Sequence, residues 1–308
     1  MVNLHVADVR ASSSASGDAD WGPGPAPVAA GAQIADGYTV VAHLRRGRRL
    51  DVYDVWSDTR GCRCVVKTLR PERAADADAV ARLHTEGHLL RTSTHPNLVR
   101  AYEVVDTNDD PLFVRPAVVL ETLTGETLDL VVDGDTLISG DAAILGLQLC
   151  SALAYLHSLG WLHLDVKPGN IVVSGGRAVL LDLSLMRRIG VDDGGGTFDY
   201  LSPEQARCGR VTEASDVWGL GATLFTTVTG EPPYADWTSQ RNAAGDRHYP
   251  QLEVDPPRLA GRRNIDRRLG ALIDACLERD PSARIGLDEA AMTLTAIAGF
   301  DPRTVTET

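Results

Sequence analysis

The chain has 308 residues, 44% of them apolar, and a formal net charge of −12. That length allows one or two domains with a sizeable core, and the acidic balance excludes the basic footprint of a nucleic-acid-binding surface. No run of about 18 apolar residues occurs, so no membrane span is predicted, and the opening MVNLHVADVRASSSASGDAD lacks the apolar run and small-residue site of a secretory leader. The cysteines Cys62, Cys64, Cys150, Cys208 and Cys276 are scattered and odd in number, with neither CxxC nor zinc spacing. They fit structural thiols in a reducing, cytoplasmic setting.

Residues 1–36 are rich in Ser, Ala, Gly, Pro and Asp without a helical or strand period, and are expected to be flexible. Its serines Ser12, Ser13, Ser14 and Ser16 are candidate autophosphorylation sites. Three short strands follow in YTVVAHL, RRLDVYDVWSDTRG and CRCVVKTLRP. The spacing of Val80, Leu83, Gly87 and Leu90 predicts a helix over 74–91, with Asp76 and Asp78 favouring its N-terminal dipole. LVRAYEVVDT and AVVLETL read as strands again. From about residue 124 the pattern turns helical. One helix is predicted over 141–160, closed by Gly160, with two short strands in NIVVSG and AVLLD behind it. Further helices are predicted over 214–229, 266–278 and 287–298, the second stopping at Asp280-Pro281. A small sheet with one helix, then a helical bundle, is a two-lobed α+β arrangement.

Four motifs stand in order on this frame: CVVKTL with Lys67; His163-Leu164-Asp165-Val166-Lys167-Pro168-Gly169-Asn170; Asp182-Leu183-Ser184; and GTFDYLSPE from Gly196 to Glu204. In order and spacing they resemble the motifs of eukaryotic-type Ser/Thr protein kinases, in the style of the bacterial members. The resemblance covers residues 38–298. It implies a kinase domain over 37–300, with an antiparallel-sheet N-lobe over 37–123 and a mainly helical C-lobe over 124–300, followed by a tail at 301–308.

The resemblance implies transfer of the ATP γ-phosphoryl group to Ser or Thr hydroxyls of a protein substrate, with Mg2+ or Mn2+. Lys67 would hold the α- and β-phosphates, positioned by an ion pair with Glu86. Asp165 would act as catalytic base and Lys167 would neutralise charge on the transferred group. Asn170 and Asp182 would bind the metal. Thr197 would contact Asp165 and Lys167 and help accept a Ser or Thr substrate. Glu121 and Leu123, after a gatekeeper Leu120, would offer backbone groups to adenine, and Val52, Val65 and Val172 would flank it. Glu204 would pair with Arg284, and Asp216 would support the catalytic loop.

Three departures qualify this picture. The nucleotide-covering loop runs Leu44-Arg45-Arg46-Gly47-Arg48-Arg49-Leu50-Asp51-Val52, with only Gly47 of the usual three glycines. Its four arginines attract phosphate, or are solvated beside a loop that has lost tight nucleotide contact; weaker ATP affinity is the expectation. Ser184 replaces a glycine, which is expected to restrict backbone movement. Leu164 replaces the arginine that receives an activation-segment phosphate in many relatives, so activity is expected not to depend strongly on such phosphorylation. The alternative to an active kinase is a pseudokinase serving as a binding or scaffold module with weak or no nucleotide use.

Overall fold

The computed structural model describes residues 24–105, 115–237 and 248–299. The candidate serines Ser12 to Ser16, the last two residues of LVRAYEVVDT and the tail 301–308 lie outside them. The chain divides at Gly125 into two units.

The first unit is built on a six-stranded antiparallel sheet. Its strands are β1 (Gln33–Ala35), β2 (Tyr38–Arg46), β3 (Leu50–Ser57), β4 (Cys62–Leu69), β5 (Ala101–Val105) and β6 (Ala117–Glu121), in the order β1-β2-β3-β4-β6-β5. Strand alternation decides the faces. Val40, Tyr53, Val55, Cys64, Val66 and Val119 close a core on one of them. Lys67 is opposite Val52 and Val118 in the register, on the other face, where helix α1 (Ala77–Thr92) lies. Asp76 caps α1, its side chain accepting from the Ala79 amide, and the helix buries Ala79, Leu83, Glu86, Gly87 and Leu90. Ala79 thus takes the buried place expected of Val80.

β1 corrects the expectation of flexibility throughout 1–36. Gln33 and Ala35 pair with Thr39 and Tyr38 across Asp36-Gly37, and Ile34 and Ala35 are buried. Gly37 turns the chain with φ 71°, a conformation that side-chain-bearing residues rarely adopt. Asp-Gly between two apolar stretches is a hairpin signal in its own right.

The second unit contains β7 (Glu126–Thr127), α2 (Leu128–Val131), α3 (Ser139–Ser158), β8 (Trp161–Leu162), β9 (Ile171–Ser174), β10 (Arg177–Leu180) and β11 (Arg187–Arg188). It continues with α4 (Pro203–Ala206), α5 (Glu213–Thr229), α6 (Arg267–Cys276) and α7 (Leu287–Ala298). The strands form a β10-β9-β7 sheet and a β11-β8 pair. α3 is long and apolar enough to cross a bilayer by composition, but half of that stretch is buried in the unit, where it meets α5 and α7. It is the core helix of this unit. α5 is buried almost throughout, from Ser215 to Thr227. A Cβ on Gly219 would stand 3.0 Å from the Val166 side chain and 3.2 Å from its carbonyl oxygen. Glycine here lets α5 lie directly against the loop carrying Asp165 and Lys167.

Candidate active site

In the first unit, Lys67 Nζ lies 2.6 Å from Glu86 Oε1, both side chains almost fully enclosed. Two local rules bring them together. β4 turns Lys67 toward α1, and the helical stripe that buries Leu83, Gly87 and Leu90 also turns Glu86 inward. Val52 faces Lys67 in the register and Val65 is two residues from it, so the three share one sheet face. Leu120 is buried and opposite Val65. The Glu121 amide donates to Arg100 O at 3.0 Å, and the Glu121 side chain accepts from the Arg100 amide at 2.9 Å. Of its main-chain groups only the carbonyl can serve an adenine edge. Leu123 is half-buried behind it.

The arginine-rich stretch closes as a tight hairpin. β2 continues to Arg46 and β3 resumes at Leu50, and Gly47 N donates to Leu50 O at 2.8 Å. The surviving glycine therefore spends its amide on the turn. Arg46 forms a bidentate pair with Asp51, Nε at 2.8 Å and Nη2 at 3.0 Å, and His43 Nε2 stands 3.2 Å from the same carboxylate. Asp51 is fully buried. Burial alone would raise its carboxyl, but the Arg46 guanidinium and His43 hold it below the ordinary carboxylate range. Of the four arginines read as phosphate attractors or solvated groups, Arg46 is neither: its fork is committed to Asp51.

In the second unit the structure gathers Asp165, Lys167, Asn170 and Thr197. Thr197 Oγ1 donates to Asp165 Oδ1 at 2.7 Å and accepts from Lys167 Nζ at 2.5 Å. Lys167 Nζ is also 3.2 Å from Asp165 Oδ2. Asn170 Nδ2 donates to Asp165 Oδ2 at 2.8 Å and Asp165 O at 2.9 Å. The Asp165 carboxylate is thus aimed by three side chains at 8% residual exposure. A carboxylate so fixed beside a hydroxyl and an ammonium can receive a proton from an alcohol while the ammonium offsets developing negative charge. Val172 lies in β9, nearly buried, directly after this loop.

Asp216 sets the backbone of the loop. Its Oδ1 accepts the Leu164 amide at 2.7 Å, and its Oδ2 accepts the His163 amide at 2.9 Å and meets His157 Nε2 at 2.8 Å. Burial pushes this carboxyl up; His157, then His163 and the Leu164 amide, outweigh it and hold it below the ordinary range. Leu164 has φ 65° and Asp182 φ 55°, left-handed values that cost a side-chain-bearing residue of order 1–3 kcal/mol and concentrate at working sites. The Ser184 amide bonds Asp182 Oδ1 at 3.2 Å and Leu183 is buried beside it. Ser184 is not among the described residues with positive φ, so this backbone makes no demand for glycine there.

Further side chains support the site from around it. His163 is fully buried; its Nδ1 accepts the Asp165 amide at 3.2 Å, which leaves Nε2–H to donate to Leu181 O at 2.8 Å. That fixes the tautomer and ties the Asp165 loop to the segment carrying Asp182. Gln205 Nε2 donates to Leu164 O at 3.0 Å and Gly195 O at 2.5 Å. Its place three residues after Ser202, completing a capping box on α4, was the available clue. Glu204 and Arg284 form the expected pair, Nη1 to Oε1 at 2.8 Å and Nη2 to Oε2 at 3.2 Å, with the guanidinium 5.2 Å from the Trp218 ring centroid.

A Mg2+ ion prefers oxygen donors and completes its shell with phosphates and water rather than an all-protein cage. Among the described residues no group of three or more His, Cys, Asp or Glu could hold a metal by themselves. Asn170 donates to Asp165 through its NH2 group, which leaves the amide oxygen to face a cation, and Asp182 supplies a carboxylate. The two fit a phosphate-linked Mg2+.

Comparison with known proteins bears on the family and the fold. The serine/threonine-protein kinase PknB of Mycobacterium tuberculosis (strain ATCC 25177 / H37Ra) is 32% identical over 231 residues, 71% of this chain and 36% of that protein. The probable serine/threonine-protein kinase PknB of Bifidobacterium longum (strain NCC 2705) is 34% identical over 208 residues, 62% of this chain and 30% of that protein. The chain thus spans about a third of the length of the curated relatives it matches. The crystal structure of the M. tuberculosis PknI kinase domain superposes with a TM-score of 0.67 at 23% identity, covering 89% of this chain and all of that one, a likeness of fold. Residues 38–294 match the protein kinase domain family, and the chain belongs to it.

Proposed function

We propose that this chain transfers the γ-phosphoryl group of ATP to Ser or Thr hydroxyls of protein substrates. The observation that carries the reading is the buried Asp165 carboxylate bracketed by Thr197, Lys167 and Asn170. Asp165 orients the substrate hydroxyl and takes its proton as the oxygen bonds to phosphorus and the bond to the ADP oxygen breaks. Lys167 offsets charge on the transferred group. Lys67, held by Glu86, neutralises the α- and β-phosphates. Glu121, through its carbonyl, and Leu123 meet the adenine edge, with Val52, Val65 and Val172 against its faces. Asn170 and Asp182 would hold Mg2+, for which Mn2+ could substitute, and the charge supplied there would neutralise phosphate oxygens. The names of the relatives support protein substrates and Ser/Thr acceptors. All five cysteines are free thiols, which supports a reducing, cytoplasmic setting.

The test is incubation with Mg-ATP and a generic protein substrate beside Asp165→Asn. The expected result is phosphate on Ser or Thr, reduced on the order of a thousandfold in the variant. Equal transfer by both proteins, or none by the unaltered one, sinks the reading.

A further inference from the structure

Between Leu185 and Gly196 the segment reads LMRRIGVDDGGG, with no Ser, Thr or Tyr. Thr197, the next hydroxyl, is already held between Lys167 and Asp165. Leu164 offers no cation to a phosphate. The segment is nonetheless tied down at both ends. Arg187 Nε donates to Asp193 Oδ2, and Asp193 Oδ1 accepts the Gly195 amide at 2.6 Å. Arg187 Nη1 also donates to Met186 O at 2.8 Å. Gly195 O then accepts from Gln205, whose same NH2 group bonds Leu164 O, the residue before Asp165. The Asp193 amide donates to Gly209 O at 3.1 Å, and Val211 N donates to Val191 O at 2.8 Å.

We propose that Asp193 is the built-in anion that orders this segment and Arg187 its receiver, so that Thr197 reaches its place beside Asp165 with no phosphate on the segment. A carboxylate accepting a guanidinium and a backbone amide supplies the bonds an added phosphate would make to one cation, at lower charge but permanently. Asp193 and Arg187 keep 15% and 18% side-chain exposure, and both partners belong to the same short segment. Its effect is local: it fixes Gly195, and through Gln205 the entry to the catalytic loop. Asp193 is a positioning residue. The proposal rests on the kinase reading for its activity arm only.

The experiment uses the full chain, unaltered and as Asp193→Asn, Asp193→Glu and Arg187→Asp with Asp193→Arg. Amide hydrogen exchange over residues 189–200 is expected to quicken about fivefold or more in Asp193→Asn, with α3 and α5 unchanged. It returns toward the unaltered rate in Asp193→Glu and in the charge-swapped double variant. kcat/KM for protein substrate falls on the order of tenfold in Asp193→Asn, while KM for ATP holds. Phosphatase treatment of the unaltered chain changes neither readout. Unchanged exchange in Asp193→Asn overturns the proposal, as does loosening of the segment by phosphatase. If the unaltered chain transfers no phosphate, the kinase reading fails and the exchange arm still decides the role of Asp193.

Discussion

Asp216 and Asp51 are both sealed from solvent, at 1% and 0% exposure, and they do different work. Asp216 spends its oxygens chiefly on main-chain amides, those of His163 and Leu164, and so dictates backbone. Asp51 spends its oxygens on side chains, those of Arg46 and His43, and so fastens two neighbouring strands without shaping the chain between them. The first arrangement holds Leu164 at φ 65° and keeps the family motif in working geometry. The second sits where the family has flexible glycines and replaces conformational freedom by a charged clasp. A buried acid bonded to amides thus preserves a motif, and one bonded to side chains takes over where the motif has been lost.

The largest test of this contrast is Asp216→Ala. Two buried amides and His157 lose their acceptor together, so unfolding in denaturant is expected to show a loss of about 3–5 kcal/mol. With Asp165 no longer held in register, kcat is expected to fall by about a hundredfold. A variant that loses stability but keeps kcat would show that the loop holds its shape without Asp216.

Asp51→Ala sharpens the other side. Arg46 is 25% exposed on its side chain and can recover water, so the expected loss is smaller, about 1–2 kcal/mol. The functional effect is expected in nucleotide affinity, because Val52 adjoins the clasp and pairs with Lys67. A titration should show ATP binding weakened about three- to tenfold, with kcat for bound substrate little changed. An equal fall in kcat would mean that the clasp acts beyond the hairpin.

The same contrast explains what the sequence disclosed. Lys67, Glu86, Asp165, Lys167, Asn170 and Thr197 were legible because their motifs have fixed spacing, and the contacts within each group follow from it. The long helices α1, α3, α5, α6 and α7 were legible from their apolar stripes to within a few residues at each end, whereas α2 and α4, one turn each, are too short to show a stripe. Asp51 was not, because an acid in an alternating strand reads as solvent-facing, and only the register with Arg46 and the approach of His43 turn it inward. β1 was hidden by composition: the Ser/Ala/Gly/Pro bias of residues 1–36 outweighed the local Asp36-Gly37 signal. Gln205 and Asp193 act through hydrogen bonds to partners whose position depends on the course of the segment between them, which no periodicity encodes.

The smallest effect concerns protons. Asp51 and Asp216 are both held below the ordinary carboxylate range in the folded chain. Above the unfolded value of about 3.9 their contributions are complete, since the carboxylates are ionised in both states. As pH falls below about 4 the unfolded chain takes up protons that the folded chain refuses, and stability drains away toward the folded pKa values. Each such carboxylate adds at most about 1.4 kcal/mol per pH unit to the slope. Urea unfolding followed from pH of about 5 to about 3 should therefore give a shallower acid slope for Asp51→Asn than for the unaltered chain. The remaining slope belongs to the other carboxylates held low in the folded chain, namely Asp216, Asp266, Asp280 and Glu204, the last of which Arg284 holds down against burial in the same way. An identical slope in the variant would mean that Arg46 and His43 do not keep Asp51 ionised, and the hairpin would then be closed by its Gly47 turn and strand pairing alone.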